Sequence, residues 1–109
     1  MTDVLLVRVN CPSAAVADEI AEAAIASGLA ACANIDGPIR SVYVWESEIE
    51  RAEEWVLWLK SAAKMWYRVE ALVLAHHPHE VPAILGVPCE AAYGPFAAWI
   101  ETNLSSDLD

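Results

Sequence analysis

Apolar residues fall at two spacings along this chain, and the alternation between them sets out the elements. Val4 to Val9 is a short β-branched run that reads as a buried strand, stopping at Asn10-Cys11-Pro12. Pro12 and Ser13 then begin a helix, with Ser13 as N-cap and Val16, Ile20, Ala23, Ala24 and Ser27 on one face, and Gly28 closes it. Leu29 to Ile35 is a second apolar run, ended by the turn signal Asp36-Gly37-Pro38. Residues 39–60 read as a long β-hairpin on which much of the chain depends. On its outgoing arm, Ile39 to Glu46, Val42 and Val44 alternate with Tyr43 and Trp45. On the return arm, Glu53 to Lys60, Val56 and Trp58 alternate with Trp55, Leu57 and Leu59. The polar stretch Ser47 to Ala52 is expected to form its tip.

After Lys60, Ser61 is expected to cap a second helix whose stripe is Met65, Val69, Leu72, Val73 and His76, with Pro78 ending it. The stretch Val81 to Cys89 holds too many prolines for a central strand, which leaves a short edge strand from about Ile84 to Cys89. Gly94-Pro95 opens a last helix carrying Phe96, Trp99, Ile100 and Leu104, and Ser105 to Asp109 are expected to fray. The order strand, helix, strand, strand, helix, strand predicts an α/β (α+β) chain. It is a ferredoxin-like split βαβ sandwich with a long hairpin and one added C-terminal helix, in a single domain over residues 1–109. Both faces of the hairpin are apolar, more than a domain of this size covers by itself, so other subunits are expected to cover it. Any ligand site then belongs near a subunit boundary.

Composition sharpens this picture at three points. Hydrophobic residues make up 57% of the chain and charged ones 20%, yet no apolar stretch reaches the roughly 18 residues that span a bilayer. Asp and Glu outnumber Lys and Arg by 16 to 6, and the net charge of -10 repels phosphate backbones and anionic headgroups. Neither nucleic acid nor membrane is therefore expected as a partner. The amino-terminal segment has neither a basic region nor a cleavage-site pattern, which makes the cytoplasm the expected location. Cys11, Cys32 and Cys89 match no disulfide framework and no Cys-x-x-Cys motif, and are expected to be reduced thiols.

Candidate chemistry gathers at His76-His77-Pro78-His79-Glu80, three imidazoles and a carboxylate at a helix end. Imidazole suits copper and zinc, but neighbouring histidines on a helix diverge by about 100° and one segment cannot close a site. The same residues also fit a structural role, with His76 at the stripe edge, His77 at the helix C-terminus and His79 exposed. Cys11 precedes a helix N-terminus, where exposed N–H groups lower a thiol pKa, and it is expected to be the reactive cysteine. Cys32 and Cys89 read as small buried hydrophobes. Pairing Cys11 with a histidine base and Glu46, Glu80 or Glu90 would be needed for catalysis, but no nucleophile elbow, phosphate loop or His-Glu-x-x-His is present. The chain is not expected to be an enzyme. Trp45, beside Glu46, reads as a pocket wall or as hairpin packing.

Several separate blocks resemble one family in order and spacing: Gly28-Leu-Ala-Ala-Cys-Ala-Asn-Ile35, Gly37-Pro-Ile-Arg-Ser-Val-Tyr-Val-Trp-Glu46, His77-Pro-His-Glu-Val-Pro-Ala-Ile84, and Tyr93 with Trp99-Ile100. Over nearly its whole length the chain resembles the CutA divalent-cation tolerance family. The resemblance implies a ferredoxin-like homotrimer whose hairpins pair between subunits, with a role in tolerance of copper and other divalent cations. It also implies copper ligation by a cysteine near the end of the first strand and by two successive histidines. His76 and His77 stand in the histidine positions. The cysteine position falls on Val9, with Cys11 two residues further along the same strand face. The expected metal donors are thus His76 and His77 with Cys11 from the first strand or from a neighbouring subunit, for copper, zinc or another divalent cation, and with His79 as an additional donor where tyrosine is usual. The alternative implied by the same resemblance is a trimer like the PII signalling proteins, sensing a small ligand or docking a protein partner.

Overall fold

Hydrogen bonding along the first strand runs past the expected stop, because Cys11 still pairs with Trp55 before Pro12 removes the donor. The computed structural model describes residues 2–106. The elements are β1 (Val4–Cys11), α1 (Ala14–Ala26), β2 (Cys32–Trp45), β3 (Glu48–Ala62), a 3-10 turn at Ala63–Met65, α2 (Trp66–His76), β4 (Ile84–Pro88) and α3 (Gly94–Thr102). The sheet order is β2-β3-β1-β4 with each neighbouring pair antiparallel, which is the ferredoxin-like split βαβ arrangement with one added helix.

Strand alternation sends one set of side chains into the helical layer. Val7, Val9 and Cys11 of β1 and Leu57 and Leu59 of β3 are fully buried there with Ile20 and Ala24 of α1, Val69 and Val73 of α2, and Ile100 of α3. Arg8 and Asn10 of β1, with Trp58 and Glu54 of β3, occupy the opposite face, which no helix of this core covers. Ser13 caps α1 as expected, its Oγ accepting from the Val16 N–H at 3.1 Å. Gly28 ends that helix at φ 72°, and its carbonyl accepts from the Ser105 N–H at 2.8 Å. This bond anchors the chain beyond α3 at Ser105, where fraying was expected. Residues 107–109 of that expectation lie outside the described residues.

Three expectations about the hairpin are corrected. Asp36-Gly37-Pro38 does not end a strand. β2 continues through it by a bulge, the register moving from Asp36–Val56 to Ile39–Glu54. Gly37, at φ 153°, passes so close to Trp55 that a Cβ there would lie 2.8 Å from the indole, which is why the kink needs glycine. The tip is not Ser47 to Ala52 but the two residues Glu46 and Ser47, both at positive φ (49° and 69°), with Trp45 already paired to Glu48. The polar sequence from Glu48 to Ala52 resembles a loop only because this part of the ladder is exposed. Finally, Ser61 does not cap a helix: β3 runs on to Ala62, Ser61 is fully buried, and its Oγ donates to the Leu29 carbonyl at 2.6 Å. α2 instead starts at Trp66, out of the 3-10 turn and without a side-chain cap.

Candidate functional site

The carboxyl end of α2 meets the end of β1, so the histidine-rich segment and Cys11 lie in one part of the fold. Their side chains nevertheless go separate ways. His76, the last residue of α2, turns its Nδ1 to Glu19 Oε2 on α1 at 2.8 Å, at a partly exposed position. His77 follows as the C-cap and is buried at 7% exposure. Its Nδ1 accepts the His79 N–H at 3.1 Å, so its Nε2 carries the proton and donates to the Asn10 carbonyl at 2.8 Å. Both nitrogens are thereby committed to main chain. The His79 ring lies 4.8 Å from the His77 ring and is exposed.

Cys11 follows Asn10 but points to the other face. It is wholly buried in the core, and its thiol approaches the Val9 carbonyl at 3.9 Å. Burial, assisted by the negative charge of Glu54, pushes the thiol up to about 11. The low-pKa, reactive Cys11 expected from its place before α1 is therefore corrected: strand alternation, not the nearby helix start, sets the environment. Cys32 and Cys89 are half-buried, which makes them the more open thiols, and Lys60 Nζ lies 3.9 Å from Cys32 Sγ. Among the described residues no three His, Cys, Asp or Glu side chains gather to hold a metal ion. Within one chain, Cys11, His76 and His77 do not fit a shared copper ion: one is a buried protonated thiol, one has both nitrogens bonded, and the third faces α1.

What the fold does bring together is a cleft of about 810 Å³ on the uncovered sheet face, between the hairpin stem and the Pro78–Ala83 segment. Arg8, Asn10, Tyr43, Trp45, Glu54 and His79 are among its walls. Asn10 Nδ2 donates to Glu54 Oε1 at 3.2 Å, closing one side. The Arg8 guanidinium carbon lies 5.5 Å from the Trp58 ring centroid, a cation-π contact that tethers it to β3. Its Nε is buried without a hydrogen-bond partner. Sequence reasoning passed over Arg8, although a lone guanidinium inside the apolar run Val4 to Val9 was the available signal. Glu46, considered as a catalytic orienter, sits in the hairpin turn, and Glu90 is exposed.

Comparison with known proteins identifies relatives for this fold and these blocks. The family model for CutA1 divalent ion tolerance protein matches residues 5–103. Human Protein CutA is 34% identical over 93% of this chain and 56% of its own length, so the chain spans about half of that relative. The crystal structure of CutA1 from the psychrotrophic bacterium Shewanella sp. SIB1 superposes at a TM-score of 0.92 with 33% identity, covering 96% of this chain and 98% of the other. The periplasmic divalent cation tolerance protein CutA of Archaeoglobus fulgidus superposes at 0.90 with 31% identity, covering 94% and 99%.

Proposed function

The chain belongs to the CutA1 divalent ion tolerance family, and from that membership we propose that it acts in divalent-cation tolerance as a homotrimer without catalytic activity. The observation that carries the tolerance role is the family match across residues 5–103. Assembly is supported by the hairpin, where Val42, Tyr43, Val44, Trp45 and Ile49 are all exposed in a single chain, an arrangement suited to coverage by other copies. Copper, zinc or another divalent cation is the metal class. Because Cys11 and His77 are engaged inside the chain, we assign the first metal contact to His76, with further donors from other copies. Three unpaired cysteines support a cytoplasmic, reducing location. Measuring the thiol state of the native protein separates this from the periplasmic placement in the Archaeoglobus relative's name. Among the described residues no helix is long and apolar enough to cross a membrane.

Calorimetric titration with copper and zinc tests the metal half of this reading, and light scattering tests the assembly. Saturable copper binding that His76→Ala removes supports it. Binding unchanged in that variant places the metal elsewhere. A monomeric mass at micromolar concentration would remove the trimer.

The cleft favours a second reading, a regulatory trimer that senses a small ligand. Polar and aromatic groups converge there in a volume suited to a small molecule.

A further inference from the structure

Arg8 lies on the uncovered sheet face, opposite Trp58 on β3 and Leu85 on β4, and shares the walls of the cleft with a second guanidinium, that of Arg40. In a chain with 16 acidic residues against 6 basic ones, a guanidinium this close to the interior would ordinarily be paired. Lys64 pairs with Glu101 and His76 with Glu19, whereas among the described residues the Arg8 side chain has no ion pair or hydrogen bond. Glu54, an acid that lines the same cleft, is engaged by Asn10. Nε is the one buried side-chain polar atom without a partner among the described residues, so the two terminal amines of Arg8, equally unbonded, reach solvent. Arg8 is one of the residues that line the cleft. With Nε turned inward, the guanidinium offers its end-on pair of N–H donors, whose planar spacing matches the two oxygens of a carboxylate or phosphate.

We propose that this cleft binds a small oxyanion, a carboxylate or phosphate of one or two charges, held end-on by the Arg8 terminal amines with Tyr43 as an aromatic wall. The inference rests on the effector-sensing reading and names the chemical class of the effector. Charge limits the ligand from above. Glu54 and Glu80 also line the cleft, and the chain's net charge of -10 repels polyanions. Recognition therefore comes from directed hydrogen bonds to one group and not from a broad positive field, which suits compact anions and excludes nucleic acid strands. The cation-π contact with Trp58 and the buried Nε fix the fork before a ligand arrives, so little side-chain entropy is lost on binding.

The test is calorimetric titration of the assembled protein with inorganic phosphate, succinate and, as a neutral control, adenosine. Saturable binding of either anion is expected, and preference for phosphate or for succinate tells a phosphorylated ligand from a carboxylate one. Arg8→Gln should weaken that binding at least about tenfold, the size of a lost charge-assisted bond. Arg8→Lys, which keeps the charge but not the fork, should fall between the two, and Arg51→Gln, a cation outside the cleft, should bind like the parent. Circular dichroism on each variant confirms the fold. Equal binding by Arg8→Gln overturns the proposal. Binding of adenosine alone overturns the anion class and leaves the effector reading standing, whereas no binding of any probe removes both. If the parent binds no anion but Arg8→Gln lowers the assembled mass, Arg8 faces a carboxylate of a second copy and the small-anion proposal is overturned.

Discussion

His77 donates from Nε2 to the Asn10 carbonyl at 2.8 Å, tying the end of α2 to the end of β1. His77 is buried and Asn10 half-buried, so breaking the bond leaves a partly buried acceptor bare. His77→Ala should destabilise the protein by about 1–3 kcal/mol, while His76→Ala, which removes only an exposed pair with Glu19, should cost about 0–1 kcal/mol. Urea denaturation of the two variants reads this directly, and equal losses would mean that His77 is not the structural histidine.

Cys11 makes stability depend on alkaline pH. Burial raises its pKa from 9.0 to about 11 in the folded chain, so the folded state prefers the neutral thiol. Its contribution is complete below pH 9 and is lost as pH rises through about 11. The full loss is on the order of 2–3 kcal/mol. Cys11→Ala should flatten that decline in denaturation midpoint between pH 8.5 and 11 relative to the parent. Parallel curves would assign the alkaline loss to other groups.

The same burial fixes the order of thiol reactivity. Brief alkylation at neutral pH followed by peptide mapping should label Cys32 and Cys89 well before Cys11, since both are half-buried and Cys11 is wholly enclosed. Early labelling of Cys11 would show that the end of β1 opens readily in solution.

Much of this architecture is readable from residue patterns, and the failures have physical causes. Ser13 and Gly28 bracket α1 because a hydroxyl and a missing Cβ each do a local task that sequence displays. Ser61 misled because a hydroxyl before a helix and a hydroxyl satisfied by a distant carbonyl look identical in one dimension; only the contact with Leu29 tells them apart. Glu48 to Ala52 reads as a loop in one dimension because strand pattern depends on burial, which the outer ladder lacks within one chain. At the site, the order of His76 and His77 was legible but the direction of each ring was not. Cys11 failed for a related reason: two-residue alternation outweighed its place next to α1. Arg8 was visible as a misplaced charge, but its lack of a partner is a property of the folded surroundings.

Val44 and Ile49 face each other across the hairpin and are 69% and 72% exposed. Replacing both with Glu should leave the single-chain fold intact, because neither side chain touches the core, yet lower the mass measured by light scattering if assembly uses this surface. An unchanged mass would place the contacts on the other hairpin face or elsewhere.

From Glu54 outward β3 pairs with β2 alone, since β1 ends opposite Trp55. Two strands by themselves are only marginally stable in water. The outer hairpin therefore has little opening free energy of its own, and whatever covers it supplies the remainder by mass action. Amide exchange along residues 39–53 should slow as the protein is concentrated, while the amides of β1 stay equally protected at every dilution. One molecule thus carries two stabilities, an intrinsic one in its core and a collective one in its hairpin.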